Sequence, residues 1–194
     1  MHDSVVYNSK MIVGIDEVGC GCWAGPVVAG AVLLVQPIPG LKDSKKLSKR
    51  QREALTLLIM EEATAVGIGW VTAQEVDIIG LTAAVRLAMS RALAQINADY
   101  DEIIIDGNFN FLSDNPKTST LIRADDLVPA VSAASIVAKV SRDNFMAELG
   151  HLYPEYGFES HVGYGTAKHL AALRAHGVTE HHRKTYKPIA ALLQ

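Results

Sequence analysis

The first 35 residues of this chain contain two apolar runs separated by a glycine-rich segment. Residues 11–15 form the first run, which ends directly before Asp16 and Glu17, and residues 26–35 form the second, which is rich in Val and Ala. Short apolar runs bounded by glycine and proline are typical of buried strands. The pattern predicts two strands joined by a glycine-rich turn, with two carboxylates where the first strand ends.

Helical patterns follow and alternate with further strands. Ser48 and Gln51 have the spacing of a capping box, so a helix is predicted to begin there and to run to Glu62. Further strands are predicted over residues 65–72, 102–106 and 118–123, and further helices over residues 81–96, 131–149 and 166–175. Early strands with interleaved helices indicate the α/β class.

The length and composition favour a single domain over residues 1–194. With 194 residues and 49% hydrophobic content the chain can bury one substantial core, and no repeat or low-complexity linker divides it. No run approaches the roughly 20 apolar residues of a membrane span, and the N-terminus lacks a signal-peptide pattern. Two cysteines are too few for a secreted disulfide scaffold. These features predict a cytoplasmic protein without membrane association.

The charge is unevenly distributed. A formal net charge of −3 argues against bulk attraction to nucleic acid, but net charge averages over different surfaces. From residue 160 to the end, Glu180 is the only acid, whereas Lys, Arg and His residues are frequent. The C-terminal segment is therefore a local basic region.

Two further acids follow predicted strands. Asp106 ends the run over residues 102–106, and Asp125 follows the last predicted strand. With Asp16 and Glu17 they can meet at one rim of a sheet, where four carboxylates repel one another unless cations are bound. Oxygen ligands favour Mg²⁺ or Mn²⁺ over zinc, and hydrolysis of a phosphodiester by two such ions is the corresponding chemistry. Any one of these acids taken alone is more often a turn or capping residue.

The glycines of the turn also suggest a rival interpretation. Gly19, Gly21 and Gly25 superficially resemble a dinucleotide-binding turn, but that motif requires a helix to follow, and the residues after Pro26 favour a strand. A Rossmann-type oxidoreductase is therefore disfavoured.

Several segments, in order, resemble type 2 ribonuclease H. Residues 14–27 read GIDEVGCGCWAGPV, which is similar to the family signature Asp-Glu-x-Gly-Arg-Gly followed by Gly-Pro-Val. The resemblance continues through LKDSKKL (41–47), IIDGN (104–108), VSAASIVAKVSRD (131–143), GYGT (163–166) and HGVTEHHR (176–183). Ordered matches over nearly the whole chain are far more specific than one short motif.

The resemblance implies a fold and an activity. The fold would be a ribonuclease H-like mixed five-stranded sheet flanked by helices, with a helical C-terminal extension over about residues 150–194 that helps to bind the substrate. The activity would be endonucleolytic hydrolysis of the RNA strand of RNA–DNA hybrids and cleavage 5′ to ribonucleotides embedded in duplex DNA, leaving 3′-hydroxyl and 5′-phosphate ends. A monomer is expected, and the tail shows no clear motif for binding a replication clamp.

The resemblance also implies roles for individual residues. Asp16, Glu17, Asp106 and Asp125 would bind Mg²⁺ or Mn²⁺ in a two-ion site, with Asp126 the lesser candidate beside Asp125. The backbone of Gly19 and Gly21 would face the ribonucleotide, Tyr164 would pack against its sugar, and Lys45 would contact phosphate near the scissile bond. The 2′-hydroxyl is the group that such contacts must recognise.

A predicted helix and the C-terminal segment supply further candidates. Ser135, Lys139 and Arg142 recur at i, i+4 and i+7, so they share a helix face that could follow a phosphate backbone or could be an ordinary solvent-facing stripe. Contacts to the duplex and a structural role are both open for three adjacent residues, His181, His182 and Arg183.

Cys20 departs from the family pattern, which has arginine between the two glycines. A cysteine is neutral and shorter and cannot form a bidentate phosphate contact. The alternative function is therefore a hybrid-binding protein of the same fold with weakened or lost turnover, although all four acids are retained. A junction resolvase or a type 3 ribonuclease H would share the acids, but the Gly-Tyr-Gly-Thr segment favours type 2. Oxidation of Cys20 or Cys22 is a candidate switch, with inert thiols as the alternative.

Overall fold

A mixed five-stranded sheet forms the centre of the molecule, in a computed structural model that describes residues 10–36, 38–41 and 44–194. The strands are β1 (Ile12–Val18), β2 (Val27–Leu34), β3 (Ala65–Val71), β4 (Glu102–Asp106) and β5 (Thr118–Leu121). Their order in the sheet is β3-β2-β1-β4-β5. The first three strands are antiparallel neighbours, whereas β4 lies parallel to β1 and β5 lies parallel to β4.

Helices cover both faces of this sheet. They are α1 (Lys49–Glu62), α2 (Ala73–Ile79), α3 (Leu81–Leu93), α4 (Ala124–Leu127), α5 (Pro129–Leu152), α6 (Phe158–His161), α7 (Ala167–His176) and α8 (Lys187–Ala190). Short 3-10 turns lie at Ser44–Lys46 and Pro154–Tyr156. One apolar cluster joins the sheet to α3, and a second joins its other face to α1 and α5.

The predicted fold class is confirmed, and most predicted elements are present. The capping box of α1 forms as expected, because the Ser48 hydroxyl accepts a hydrogen bond from the backbone N–H of Gln51 at 3.3 Å and the Gln51 side chain accepts one from the backbone N–H of Ser48 at 2.9 Å. Helix α2 was not predicted, although Thr72 and Glu75 form a second capping box. Lys42 and Asp43 of the Asp-Ser-Lys segment, like residues 1–9 of the predicted domain, lie outside the described residues.

Helix α5 lies unusually close to the sheet because glycines face it. A Cβ atom on Gly14 would lie 2.2 Å from the carbonyl carbon of Ala130, and one on Gly30 would lie 2.4 Å from the carbonyl oxygen of Ala134. Gly30 is also the partner of Asp16 across the β1–β2 ladder. The glycines therefore allow α5 to pass directly over the end of β1, where the acids lie.

The segment after α5 packs around a third apolar cluster and contacts the turn between β1 and β2. Its cluster includes Met146, Phe158 and Leu173, all buried. The backbone N–H of Trp23 donates to the carbonyl of Gly163 at 2.8 Å, and residues 181–183 also bond to residues 23–25. A substrate-binding role for residues 150–194 stays a prediction. Among the described residues, no helix is both long and apolar enough to cross a membrane.

Candidate active site

A cavity of about 420 Å³ opens where β1 and β4 end. Its walls come from β1, the turn before α1, α1 itself, β4, α5 and the loop before α7. The lining residues are Asp16, Glu17, Val18, Ser44, Lys45, Arg52, Asp106, Ser135, Lys139 and Tyr164. The structure thus brings seven of the predicted site residues together, and Cys20, Gly21 and Asp125 lie beside them.

The sheet topology explains why three of the acids meet. Ile15 of β1 is paired with Ile105 of β4 in a parallel ladder. Asp16 and Asp106, the next residues, therefore lie side by side at the same edge of the sheet. Burial, with the neighbouring charges of Glu17 and Asp106, raises the pKa of Asp16 to about 8. Burial and Asp106 likewise raise the pKa of Glu17 above its ordinary value. The metal-free site therefore resists carrying its full negative charge at neutral pH.

The donor set fits a hard divalent cation. Carboxylate oxygens are the ligands that Mg²⁺ and Mn²⁺ prefer, and a cation would relieve the repulsion that raises the pKa of Asp16. Across the part of the chain that the structure describes, no three His, Cys, Asp or Glu side chains are already gathered as a ligand group. Two of the acids instead accept backbone hydrogen bonds: Asp16 from Glu17 at 2.8 Å and Asp106 from Ala124 at 2.7 Å. A bound cation would compete with these two backbone N–H groups for the carboxylate oxygens.

Asp125 and Asp126 have different surroundings. Asp125 is buried, and its carboxylate lies 3.7 Å from the Nζ atom of Lys45, at the edge of the cavity. Asp126 is partly exposed and forms ion pairs with Lys46 and Arg123. The hydrogen bond from Ala124 to Asp106 holds the start of α4 beside β4. Asp125 as the fourth acid, with Asp126 the lesser candidate, stays a prediction.

Two buried arginines hold the glycine turn. Arg142 of α5 donates to the carbonyls of Pro26 and Val162 at 2.9 Å and of Ala24 at 3.1 Å. Arg183 donates to the carbonyl of Gly25 at 2.9 and 3.1 Å and to the carbonyl of Cys20 at 3.0 Å. The turn requires glycine where it does, since Gly19 has φ 95° and Gly25 has φ 86°. The arginines therefore supply donors to the buried carbonyl groups of the turn.

This arrangement corrects the prediction for Arg142. Its side chain is fully buried, and its guanidinium is occupied by backbone carbonyls, so it does not lie on a phosphate-facing surface. Arg142 does share a face of α5 with Ser135 and Lys139, as their spacing predicted. The glycine turn and the C-terminal segment cover that face around Arg142. Ser135 is buried with its hydroxyl 3.0 Å from that of Ser44, and Lys139 pairs with Asp143 at 2.8 Å. A purely solvent-facing stripe is excluded as well.

Tyr164 lies at the mouth of the cavity, beside the glycine turn. Its side chain is 43% exposed, and a Cβ atom on Gly21 would lie 3.9 Å from its ring. Burial and the neighbouring thiol of Cys22 raise the pKa of its phenol. A ribose approaching the exposed Gly21 backbone would meet this ring.

Three residues of the cavity were not predicted: Val18, Ser44 and Arg52. Arg52 of α1 donates to the carbonyls of Ser44 at 3.1 Å and Leu47 at 2.6 Å, so it supports the turn that carries Lys45. The only sequence signal for Arg52 was its place in the first turn after the capping box. That signal predicts a helix and no contact to a site.

The two thiols are poorly placed for redox chemistry. Cys22 is fully buried, and the Sγ atom of Cys20 lies 3.9 Å from a carboxylate oxygen of Glu17. Burial, then the charge of Glu17, raises the pKa of Cys20 to about 12, and burial also raises the pKa of Cys22. Because the thiolate is the reactive form, these surroundings favour inert thiols over an oxidation switch.

We expect the Cys20 thiol of the folded, metal-free protein to react with an aromatic disulfide reagent at least about 10²-fold more slowly than in urea, because its thiolate fraction is low. The Cys22 thiol should also react more slowly, because it is fully buried and its pKa is raised by burial. Stopped-flow absorbance at pH 8 measures both rates. Peroxide that leaves the folded thiols unmodified should leave cleavage unchanged. Folded-state rates close to those in urea would contradict the protection that burial predicts.

Comparison with known proteins gives one consistent family. The model of the ribonuclease HII family matches residues 13–189. Ribonuclease HII of Dichelobacter nodosus is 49% identical over 186 residues, which cover 95% of this chain and 98% of that protein. Ribonuclease HII of a Marinomonas species is 44% identical over 193 residues, 98% and 97% of the two chains. The crystal structure of ribonuclease H2 from Pyrococcus horikoshii superimposes with a TM-score of 0.79 at 24% identity, over 93% and 96% of the chains, and confirms the fold.

Proposed function

The chain belongs to the ribonuclease HII family, and from this premise we propose that it is an endonuclease that hydrolyses the RNA strand of RNA–DNA hybrids and cuts 5′ to single ribonucleotides in duplex DNA. The proposed products carry 3′-hydroxyl and 5′-phosphate ends. The observation that carries this proposal is the convergence of Asp16, Glu17 and Asp106 in one cavity that Tyr164 and Lys45 also line. Acids, a cation and a ribose-facing ring are the parts that such a reaction needs.

The acids are proposed to bind the cations. Asp16, Glu17, Asp106 and Asp125 would hold two Mg²⁺ or Mn²⁺ ions by their carboxylate oxygens. When bound, such a pair supplies an activated water and neutralises charge on the departing oxygen. Because burial and the neighbouring carboxylates raise the pKa of Asp16 and of Glu17, cation binding would release protons from the site.

Other side chains are proposed to place the substrate. Lys45, exposed at the cavity edge with its Nζ atom 3.7 Å from the Asp125 carboxylate, would offer its ammonium to a phosphate near the scissile bond. Gly21 would present its backbone to the ribose, and the Tyr164 ring, which lies beside Gly21, would pack against the sugar. Since only RNA has a 2′-hydroxyl that is both donor and acceptor, contacts at this point distinguish it from DNA.

The test is cleavage of a labelled DNA duplex that contains one ribonucleotide, with Mg²⁺ or Mn²⁺, beside an all-RNA strand hybridised to DNA. We expect cutting 5′ to the lone ribonucleotide and within the hybrid, and none by Asp16→Asn. Binding without cutting would overturn the proposal in favour of the alternative, a hybrid-binding protein without turnover. Cutting only the long hybrid would remove the proposed recognition of single ribonucleotides.

Cys20→Arg is expected to tighten substrate binding. An arginine between the glycines could reach a phosphate that cysteine cannot, and one such contact is worth about 1 kcal/mol, or roughly a fivefold lower KM on the single-ribonucleotide duplex. The slope of log KM against log salt should steepen by about one phosphate contact. Cys20→Ser is the matched control, because it adds no charge. Equal KM and equal salt dependence in the two variants would show that this position makes no phosphate contact.

A further inference from the structure

Three histidines without a place in the proposed chemistry lie buried behind the residue that faces the ribose. His161, His169 and His182 are each at most 8% exposed. The rings of His161 and His169 stack with centroids 4.5 Å apart, and the Nε2 atoms of His169 and His182 are 3.0 Å apart. Buried imidazoles arranged so closely need a defined pattern of donors and acceptors.

The partners at both ends determine that pattern. The Nδ1 atom of His169 lies 2.9 Å from the carbonyl oxygen of Tyr164, which can only accept, so this nitrogen carries the proton. The Nδ1 atom of His182 lies 3.0 Å from the backbone N–H of Thr179, which can only donate, so in a neutral ring the proton is on Nε2. The Nε2–H of His182 then donates to the bare Nε2 of His169. Both ends require this direction independently.

The chain of bonds requires both rings to be neutral. A proton added to Nε2 of His169 would face the Nε2–H of His182, and a proton added to Nδ1 of His182 would face the backbone N–H of Thr179. Burial, first, and the adjacent imidazoles hold the pKa of both at about 4, well below neutrality. The three hydrogen bonds that run from Thr179 through His182 and His169 to the carbonyl of Tyr164, here called the histidine relay, are therefore intact at pH 7.

The relay fixes the carbonyl group of Tyr164, and His161 fixes the backbone of Gly163, directly before Tyr164. The Nδ1 atom of His161 accepts from the N–H of Gly163 at 3.2 Å. The carbonyl of Gly163 in turn accepts from Trp23 in the glycine turn. The backbones of Gly163 and the glycine turn are packed closely together, since a Cβ atom on Gly163 would lie 2.3 Å from the carbonyl oxygen of Ala24.

We propose that His169 and His182 are positioning residues, which through the carbonyl of Tyr164 set the place of its ring against Gly21 and so the recognition of the ribose. This inference rests on the proposed function in one respect, namely that Tyr164 faces the sugar. A histidine pair buried only to fill the core would not need opposite tautomers that end on this particular carbonyl.

The tautomers are tested without any activity. Long-range ¹H–¹⁵N spectra of the metal-free protein at pH 7 should show His169 protonated at Nδ1 and His182 protonated at Nε2. The Nδ1–H form is the less common one for a free imidazole, so its observation at His169 is specific. Protonation of His169 at Nε2 would overturn the relay.

The positioning role is tested with a pair of variants at one residue. The amide nitrogen of His169→Asn can replace Nδ1 and donate to Tyr164, whereas His169→Leu cannot. We expect His169→Leu to lower kcat/KM on the single-ribonucleotide duplex by about 10²-fold, as the loss of a supporting contact to a site residue does, and to shift the NMR signals of the Tyr164 ring. His169→Asn should restore most of the rate and the ring signals. His151→Leu, at an exposed histidine, is the control for losing an imidazole.

A double-mutant cycle separates positioning from a general structural effect. If His169 acts through Tyr164, His169→Leu should cost little in a Tyr164→Ala background, whereas a structural defect would lower the rate in both backgrounds. Equal losses would overturn the proposal. If the wild-type protein cuts neither substrate, the proposed function fails, and the tautomers with the Tyr164 ring signals of the two His169 variants still decide the positioning role.

Discussion

Asp16→Asn is expected to abolish cleavage and, in metal-free buffer, to unfold at a higher temperature than the wild-type protein. The carboxylate is proposed to bind cation, and loss of several kcal/mol of charge stabilisation corresponds to a rate lower by on the order of 10³-fold or more. The same group is buried beside Glu17 and Asp106, so its ionisation opposes folding. An amide keeps the acceptor for the backbone N–H of Glu17 and removes the charge.

The stabilisation depends on pH in a defined direction. The pKa of Asp16 is about 8 in the folded protein against 3.8 ordinarily, so between about pH 4 and 8 the folded state holds a proton that the unfolded state has lost. Wild-type stability should fall as pH rises through this window and level off above it. At pH 7 the difference is roughly 2–4 kcal/mol, or about 5–10 °C in Tm. Glu17, whose pKa is also raised, leaves a smaller slope in the variant.

Thermal unfolding followed by circular dichroism in a chelating buffer at pH 5, 7 and 8.5 measures this slope. Asp99→Asn, at an exposed acid, is the control for removing one carboxylate. A wild-type slope that Asp16→Asn leaves unchanged would show that Asp16 is ionised without cost in the metal-free protein. Saturating Mg²⁺ should narrow the difference, because the cation stabilises the ionised form.

Arg183→Met is expected to destabilise the folded protein strongly through the glycine turn. The guanidinium satisfies the carbonyl of Gly25 twice and shares the carbonyl of Cys20 with the hydroxyl of Tyr186. Methionine fills similar volume but leaves the carbonyl of Gly25 without its two guanidinium donors, at a cost of about 2–4 kcal/mol. The Tm should fall by roughly 5–15 °C, and ribonucleotide recognition should fall with it because the turn loosens.

Urea unfolding at pH 7 measures this loss. Arg174→Met, which removes an exposed arginine of the same C-terminal segment, should change the free energy of unfolding by less than about 0.5 kcal/mol. Arg183→Lys should restore only part of the stability, because one ammonium cannot replace a planar fork that reaches two carbonyls. Equal stability of Arg183→Met and Arg174→Met would refute the role assigned to the buried guanidinium.

The sequence predicted the sheet and the acidic rim for the same physical reason. Apolar runs that end in acids indicate buried strands with the acids at the edge of the sheet, and the parallel pairing of β1 with β4 then places Asp16 beside Asp106. Asp125 lies in the one-turn helix α4 and not at a strand end, and only the family resemblance singled it out from Asp126. Only the tertiary structure brings Lys45 to the Asp125 carboxylate and Ala124 to Asp106.

Arg142 shows where sequence reasoning stops. Spacing at i, i+4 and i+7 identifies a shared helix face, but not what covers that face, and here the cover comes from residues more than a hundred positions earlier. The histidine relay was equally hidden, because His169 and His182 lie in different segments and only tertiary structure brings their rings together. Both depend on contacts that local periodicity does not encode.

The hydrogen bonds between the glycine turn and residues 181–183 also have a consequence for synthesis. The acids of β1 leave the ribosome early, but the backbone beside them is completed by a segment made more than 150 residues later. Contacts of such long sequence separation form late in folding. A nascent chain that has emerged only as far as α5 therefore has Asp16, Asp106 and Asp125 without the ordered turn, which can form only after residues 181–183 have been made.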